Sequence, residues 1–181
     1  MDPLKLETSS RHVVPMTPTA LKLPIVSALH AVLKPLGYRK SSASFQRAIG
    51  DVVHLVEVQG SSANVADDAR FTVNIGVFAP ALDYEDVREF TKASISEAHW
   101  RMRLGDLLPS RQDLWWRVSS LGDAEAAAVE IRELIERSAL PTLARLPDLT
   151  SLVSVWKSGS SPGLTDGYRV KLLSRLSTSA A

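Results

Sequence analysis

The side chains that could do chemistry in this chain are few and scattered. Its 181 residues include four histidines, 20 carboxylates and no cysteine, so thiol catalysis, iron–sulfur clusters and cysteine-bound zinc have no ligand to start from. His12, His30, His54 and His99 lie far apart, with no pair at the four-residue spacing that sets two imidazoles on one helical face. Neither a metal nor a cofactor is expected. Gly159-Ser160-Ser161-Pro162-Gly163 fits the nucleophile-elbow pattern around Ser161, but that chemistry needs a preceding strand, a following helix and a downstream histidine. The last histidine is His99, and the segment reads as a Ser/Gly linker. No phosphate-cradling loop of the dinucleotide or Walker type occurs.

What remains is an alternation late in the chain. His99, Arg101 and Arg103 share one side of a predicted strand, and Asp113, Trp115 and Arg117 share one side of the next. Antiparallel pairing of these two strands would assemble a cationic and aromatic patch, which Arg47, Arg70 and Asn74 join where the register brings them. Guanidinium groups recognise carboxylate or phosphate through planar paired donors, and an indole supplies a stacking face. Trp115 and Trp116 are neighbours and so point to opposite sides of their strand. One is expected under a helix; the other is either covered by the C-terminal tail or exposed, and an exposed tryptophan beside arginines is the usual composition of a binding hot spot. The function this suggests is a non-catalytic module that holds an acidic partner protein or a small anion. The competing reading is an enzyme in which His99 and either Asp106 or Asp113 exchange protons while the arginines orient an anionic substrate. An alternation of this kind is also what the solvated face of any half-buried sheet presents.

Helices and strands must position these residues. Ile25, Ala28, Leu29, Val32, Leu33 and Leu36 recur at helical spacing, which predicts a helix from Pro24 to Leu36 ended by Pro35 and Gly37. Period two follows. Phe45, Arg47 and Ile49 alternate with Gln46 and Ala48, Gly50-Asp51 turns the chain, and Val52 to Gln59 is apolar on both faces and therefore central. Arg70 to Ala79 forms a third strand with Phe71, Val73, Ile75 and Val77 on one face. Asp83 is placed to cap a short helix reaching Thr91, after which strands run from His99 to Leu104 and from Asp113 to Val118. Asp123 then caps a helix with an apolar stripe of Ala127, Ala128, Ile131, Leu134 and Ile135, broken at Pro141. Leu149 to Trp156 reads as a further short helix, and the tail from Leu164 has the apolar residues for a docking helix.

This order gives an α+β fold, an antiparallel sheet of about five strands with helices packed mainly on one face. A doubly wound parallel sheet would need regular strand–helix alternation, which is missing. Residues 1–20 read as a flexible leader, 21–156 as a single domain and 157–181 as linker and tail. A formal charge of +1 argues against nucleic acid as a partner. A mean hydropathy of +0.00 and the lack of a run approaching the roughly 18 apolar residues of a span argue against a membrane. The first twenty residues carry no basic start with an apolar run behind it, so a cytoplasmic location is expected.

The order of several short segments carries a resemblance. Leu36-Gly37-Tyr38-Arg39-Lys40, Phe45-Gln46-Arg47, the strand ending Val58-Gln59, and Arg70-Phe71-Thr72-Val73-Asn74-Ile75-Gly76-Val77 resemble a bacterial family catalogued as domain-of-unknown-function family 4304. His99-Trp100-Arg101-Met102-Arg103-Leu104-Gly105 and Asp113-Leu114-Trp115-Trp116 sit where that family places similar strands. The likeness runs from about Leu21 to Leu146. It implies no activity and carries no catalytic residue over, because the family is named for lacking one.

Overall fold

A computed structural model describes residues 15–83 and 92–179. Its first helix, α1, spans Pro18–Leu33 and so begins inside the stretch read as leader. Thr17 caps it, its side chain accepting the Ala20 N–H, and Pro18 takes the first-turn place assigned above to Pro24, where a missing N–H costs nothing. Pro24 lies inside the helix instead. Residues 18–36 are long and apolar enough to meet the length and hydropathy of a membrane span, contrary to the sequence expectation. One face of this helix is spent on the core: Leu21, Ile25, Leu29 and Leu33 are fully buried with the sheet and helix α2 (Leu121–Leu134) in one cluster.

Six strands form one antiparallel sheet: β1 Arg39–Ser41, β2 Ser44–Ile49, β3 Val52–Gly60, β4 Ala69–Phe78, β5 Trp100–Arg103 and β6 Trp116–Val118. The first five lie in sequence order across the sheet, and β6 also pairs with β4. Asn74 to Val77 of β4 face β5, and Ala69 to Phe71 face β6. The two late strands therefore lie end to end along one edge of β4. They do not pair with each other, as the sequence reading supposed.

Alternation assigns the faces. Phe71, Val73, Ile75 and Val77, with Val56 and Val58 of β3 and Trp100 of β5, join α1 and α2 in the main core. Helix α2, Leu121–Leu134, is capped by the Ser120 side chain on the Asp123 N–H, while Asp123 accepts from the N–H and hydroxyl of Ser119. Ile135–Ala139 continues as a π-turn into α3, Leu140–Ala144. Pro141 has no N–H to give Arg137, and the Thr142 hydroxyl bonds the Ser138 carbonyl in the same turn. Helix α4, Leu149–Lys157, starts on a reciprocal Asp148–Ser151 cap. The tail docks as α5, Asp166–Ser179, which buries Leu172 in the main core.

The second face of the sheet is only half covered. Val53, Leu55 and Phe78 pack against Ala93, Ala98 and Ile95 of the connection between β4 and β5. Gly76 makes this contact possible: a Cβ there would stand 2.8 Å from the Ile95 side chain and 2.9 Å from that of Ala98. The short helix expected from Asp83 to Thr91 lies outside the described residues. Beside this segment, among the described residues, the face opens into a cleft.

Candidate functional site

The cleft has a volume of about 720 Å³. Its floor is Glu57 and Gln59 of β3, Asn74 of β4, and Arg101 and Arg103 of β5; Ile95 and Ser96 wall one side, and Asp106 and Asp113 the other. The register fixes two rows of this floor. Glu57, Asn74 and Arg103 form one row, and Leu55, Gly76 and Arg101 form the next. In the first row the Asn74 amide donates to Gln59 Oε1 at 2.8 Å, and the Ser44 hydroxyl donates to Glu57 Oε2 at 3.0 Å. In the second row Ile95 and Ala98 stand over Gly76, so the cleft reaches Arg101 of that row.

The two arginines are held differently. Arg103 donates to Asp113 at 2.5 Å and lies 5.2 Å above the Trp115 ring, while the Trp115 indole N–H donates to the same Asp113 carboxylate at 3.0 Å. The guanidinium first and the indole second hold the Asp113 carboxyl below the usual carboxylate range. The Arg103 backbone N–H bonds Asp106 at 3.0 Å, and the Thr72 hydroxyl ties the wall to the sheet through the Leu114 carbonyl at 2.8 Å. Gly105 is required in this wall, since a Cβ there would fall 2.1 Å from the Gln112 carbonyl oxygen. Among the described residues the Arg101 side chain donates only to the carbonyls of Ile95 and Ser96, at 3.3 and 3.4 Å. Among the described residues it has no carboxylate partner. Its strand edge is sealed, with the Arg101 N–H donating to the Pro162 carbonyl and Gly163 lying against the Arg101 backbone.

Asn74, Arg101, Arg103 and Asp113 of the candidate set come together in the cleft. Trp115 does not line it; it braces Arg103 and Asp113 from outside. Trp116 is the tryptophan under a helix, with its indole N–H donating to Glu130 of α2 at 2.9 Å. Arg70 and Arg117 are cross-strand partners at the far end of β4, where Arg117 holds Asp68 through two hydrogen bonds of 2.8 and 3.2 Å. That pairing lowers the Asp68 carboxyl and raises Arg117. Arg47 needs correction, because it is the register partner of His54 and shares the core side of β2 with Phe45. The His54 Nε2–H donates there to the Leu146 carbonyl at 2.8 Å, and burial pushes its imidazole down.

His99 is the second correction. It has the parity of Arg101 but is 1% exposed, stacked on Phe78 and edge-on to Trp156. Its Nδ1 accepts the Ala79 N–H at 3.1 Å, so the proton sits on Nε2, 3.4 Å from Asp83. Burial lowers its imidazole against the pull of the Asp83 carboxylate. Its carboxylate neighbour is thus Asp83, and neither Asp106 nor Asp113 is placed to share its proton. The patch is also less cationic than its arginines suggested, since Glu57, Asp106 and Asp113 stand in the lining against Arg101 and Arg103. Sequence reasoning missed Glu57 and Gln59. Their signal was the one polar pair on the outward side of an otherwise apolar strand.

Among the described residues no three His, Asp or Glu side chains converge as metal ligands would. A family model described as a domain of unknown function, DUF4304, matches residues 29–145. The chain belongs to the DUF4304 family. No curated protein and no solved structure matches it. The matched span of the DUF4304 chain takes in the strands that floor the cleft and both its walls, but ends before α4 and α5.

Proposed function

We propose that this DUF4304 protein is a non-catalytic binding module whose cleft holds a small anion, with Arg101 taking the charge. The observation that carries this reading is that Arg101 lines the cleft and bonds only backbone carbonyls among the described residues. A guanidinium whose charge is not matched by a carboxylate is predisposed to accept one from a ligand. The enclosure favours a small anion over an acidic protein surface, because pockets of several hundred Å³ bury small ligands. Acid–base catalysis is less well supported, since no histidine is among the described lining residues and His99 is buried away from them.

A low-salt thermal-shift titration with inorganic phosphate and with succinate tests it, run on wild type and Arg101→Gln. Binding at about a hundred times the dissociation constant adds about 2.7 kcal/mol, which raises the midpoint by about 5–10 °C in a domain of this size. A shift present in wild type and lost in Arg101→Gln is the expected outcome. Equal shifts in both proteins, or none in either, overturn the assignment of Arg101.

A further inference from the structure

We infer that the ligand of the cleft is a zwitterion, with an ammonium group for the Glu57 row and a carboxylate or phosphate group for Arg101; this rests on the anion-binding reading above. The argument is one of unmatched charge. Arg103 is already neutralised by Asp113 and covered by Trp115, which leaves Arg101 as the cation facing the cavity. Two further carboxylates line the same space. Among the described residues Glu57, half-buried, is bonded by the Ser44 hydroxyl alone, and Asp106 by the Arg103 backbone N–H alone. Neither has a basic side-chain partner among the described residues. A purely anionic ligand would bring its charge toward both of them. A ligand with a cationic end removes that repulsion and gives the carboxylates a donor.

The rows set the spacing. Glu57 lies one two-residue step along the strands and two strands across from Arg101, a backbone separation of about 12 Å. The Asp106 wall closes the carboxylate row, where it bonds Arg103. Ile95 lines the space beside the two ends and supplies an apolar contact for a flexible chain between them. The class is therefore an ω-amino acid or aminoalkyl phosphate rather than a compact α-amino acid.

The test is a ¹H–¹⁵N chemical-shift titration of the full chain with ω-amino acids from glycine to 6-aminohexanoate, each beside the n-alkanoate and alkylamine of matching length. In wild type the longer ω-amino acids should bind at least about tenfold tighter than their alkanoates, with the largest shifts at Asn74, Gly76 and Arg101. The isosteric Glu57→Gln should bring each pair within about twofold, by weakening the amino acids and relieving the repulsion on the alkanoates, and Arg101→Gln should weaken both. Alkanoates that match the amino acids in wild type would overturn the zwitterion and leave the anion site standing. Alkylamines binding tighter than either, or no cleft shifts with any probe, would overturn both readings.

Discussion

Trp115 and Trp116 are adjacent in sequence and differ in what surrounds them. Trp116 is 6% exposed beneath α2 and anchored to Glu130, whereas Trp115 is half-buried on the outer face between Arg103 and Asp113. Truncating a buried aromatic costs about 3–5 kcal/mol, so Trp116→Ala should lower the midpoint by about 6–20 °C. Trp115→Ala forfeits chiefly a partly exposed cation–π contact of about 0.5–1 kcal/mol and should cost no more than about 4 °C. Calorimetry of the two variants decides it. Equal losses would mean that Trp115 is a core residue and that the clamp on Arg103 is incidental. The parity of these rings was readable from the sequence; which of them meets a helix was not, because α2 comes later in the chain and its docking is a tertiary event.

Among the elements, the connection from β4 to β5 decides how much of the sheet stays open. Residues 92–98 lie close enough to β4 only because Gly76 has no side chain, and the Trp100 carbonyl is also within 3.1 Å of where a Cβ would stand. Gly76→Ala should push this segment off the sheet, at a cost of about 1–3 kcal/mol for an overpacked site. Hydrogen exchange should then accelerate over 92–98 and leave α1 unchanged. Uniform exchange across the chain, with an unaltered midpoint, would show the contact to be slack. The two faults in the sequence reading of the site have separate origins. His99 has the same parity as Arg101, as the alternation indicated, but Phe78 and Trp156 enclose its end of the face. Arg47 shares the parity of Phe45, and that parity, visible in the sequence, puts it on the core side.

At the scale of the whole molecule the two buried imidazoles make stability depend on pH. His54 and His99 are both held below their ordinary value of 6.5, in each case first by burial. The folded chain therefore binds fewer protons at these sites than the unfolded one, so their contribution is complete above that value and is lost as pH falls through their folded-state values. The midpoint should fall between about pH 7 and about pH 5, before the exposed carboxylates that are lowered by their hydrogen bonds, such as Asp123 and Asp148, begin to titrate. His54→Gln and His99→Gln should each flatten part of this slope. A slope unchanged in both variants would place its origin elsewhere.

By itself the sequence determined the elements and their faces. Alternation in Phe71, Val73, Ile75 and Val77, helical spacing in α1 and α2, and the Gly50-Asp51 turn are local patterns that depend only on backbone geometry and on which side chains avoid water. They gave the α+β class and put Arg101 and Arg103 on one side with Asn74. Only the tertiary structure decided that β5 and β6 lie end to end on β4, that Glu57 enters the same row as Arg103, and that half of this face is covered. Register and cover join residues far apart in the chain. Their energies come from contacts that a local pattern does not contain, and those contacts turn a sheet face into a cleft of mixed charge.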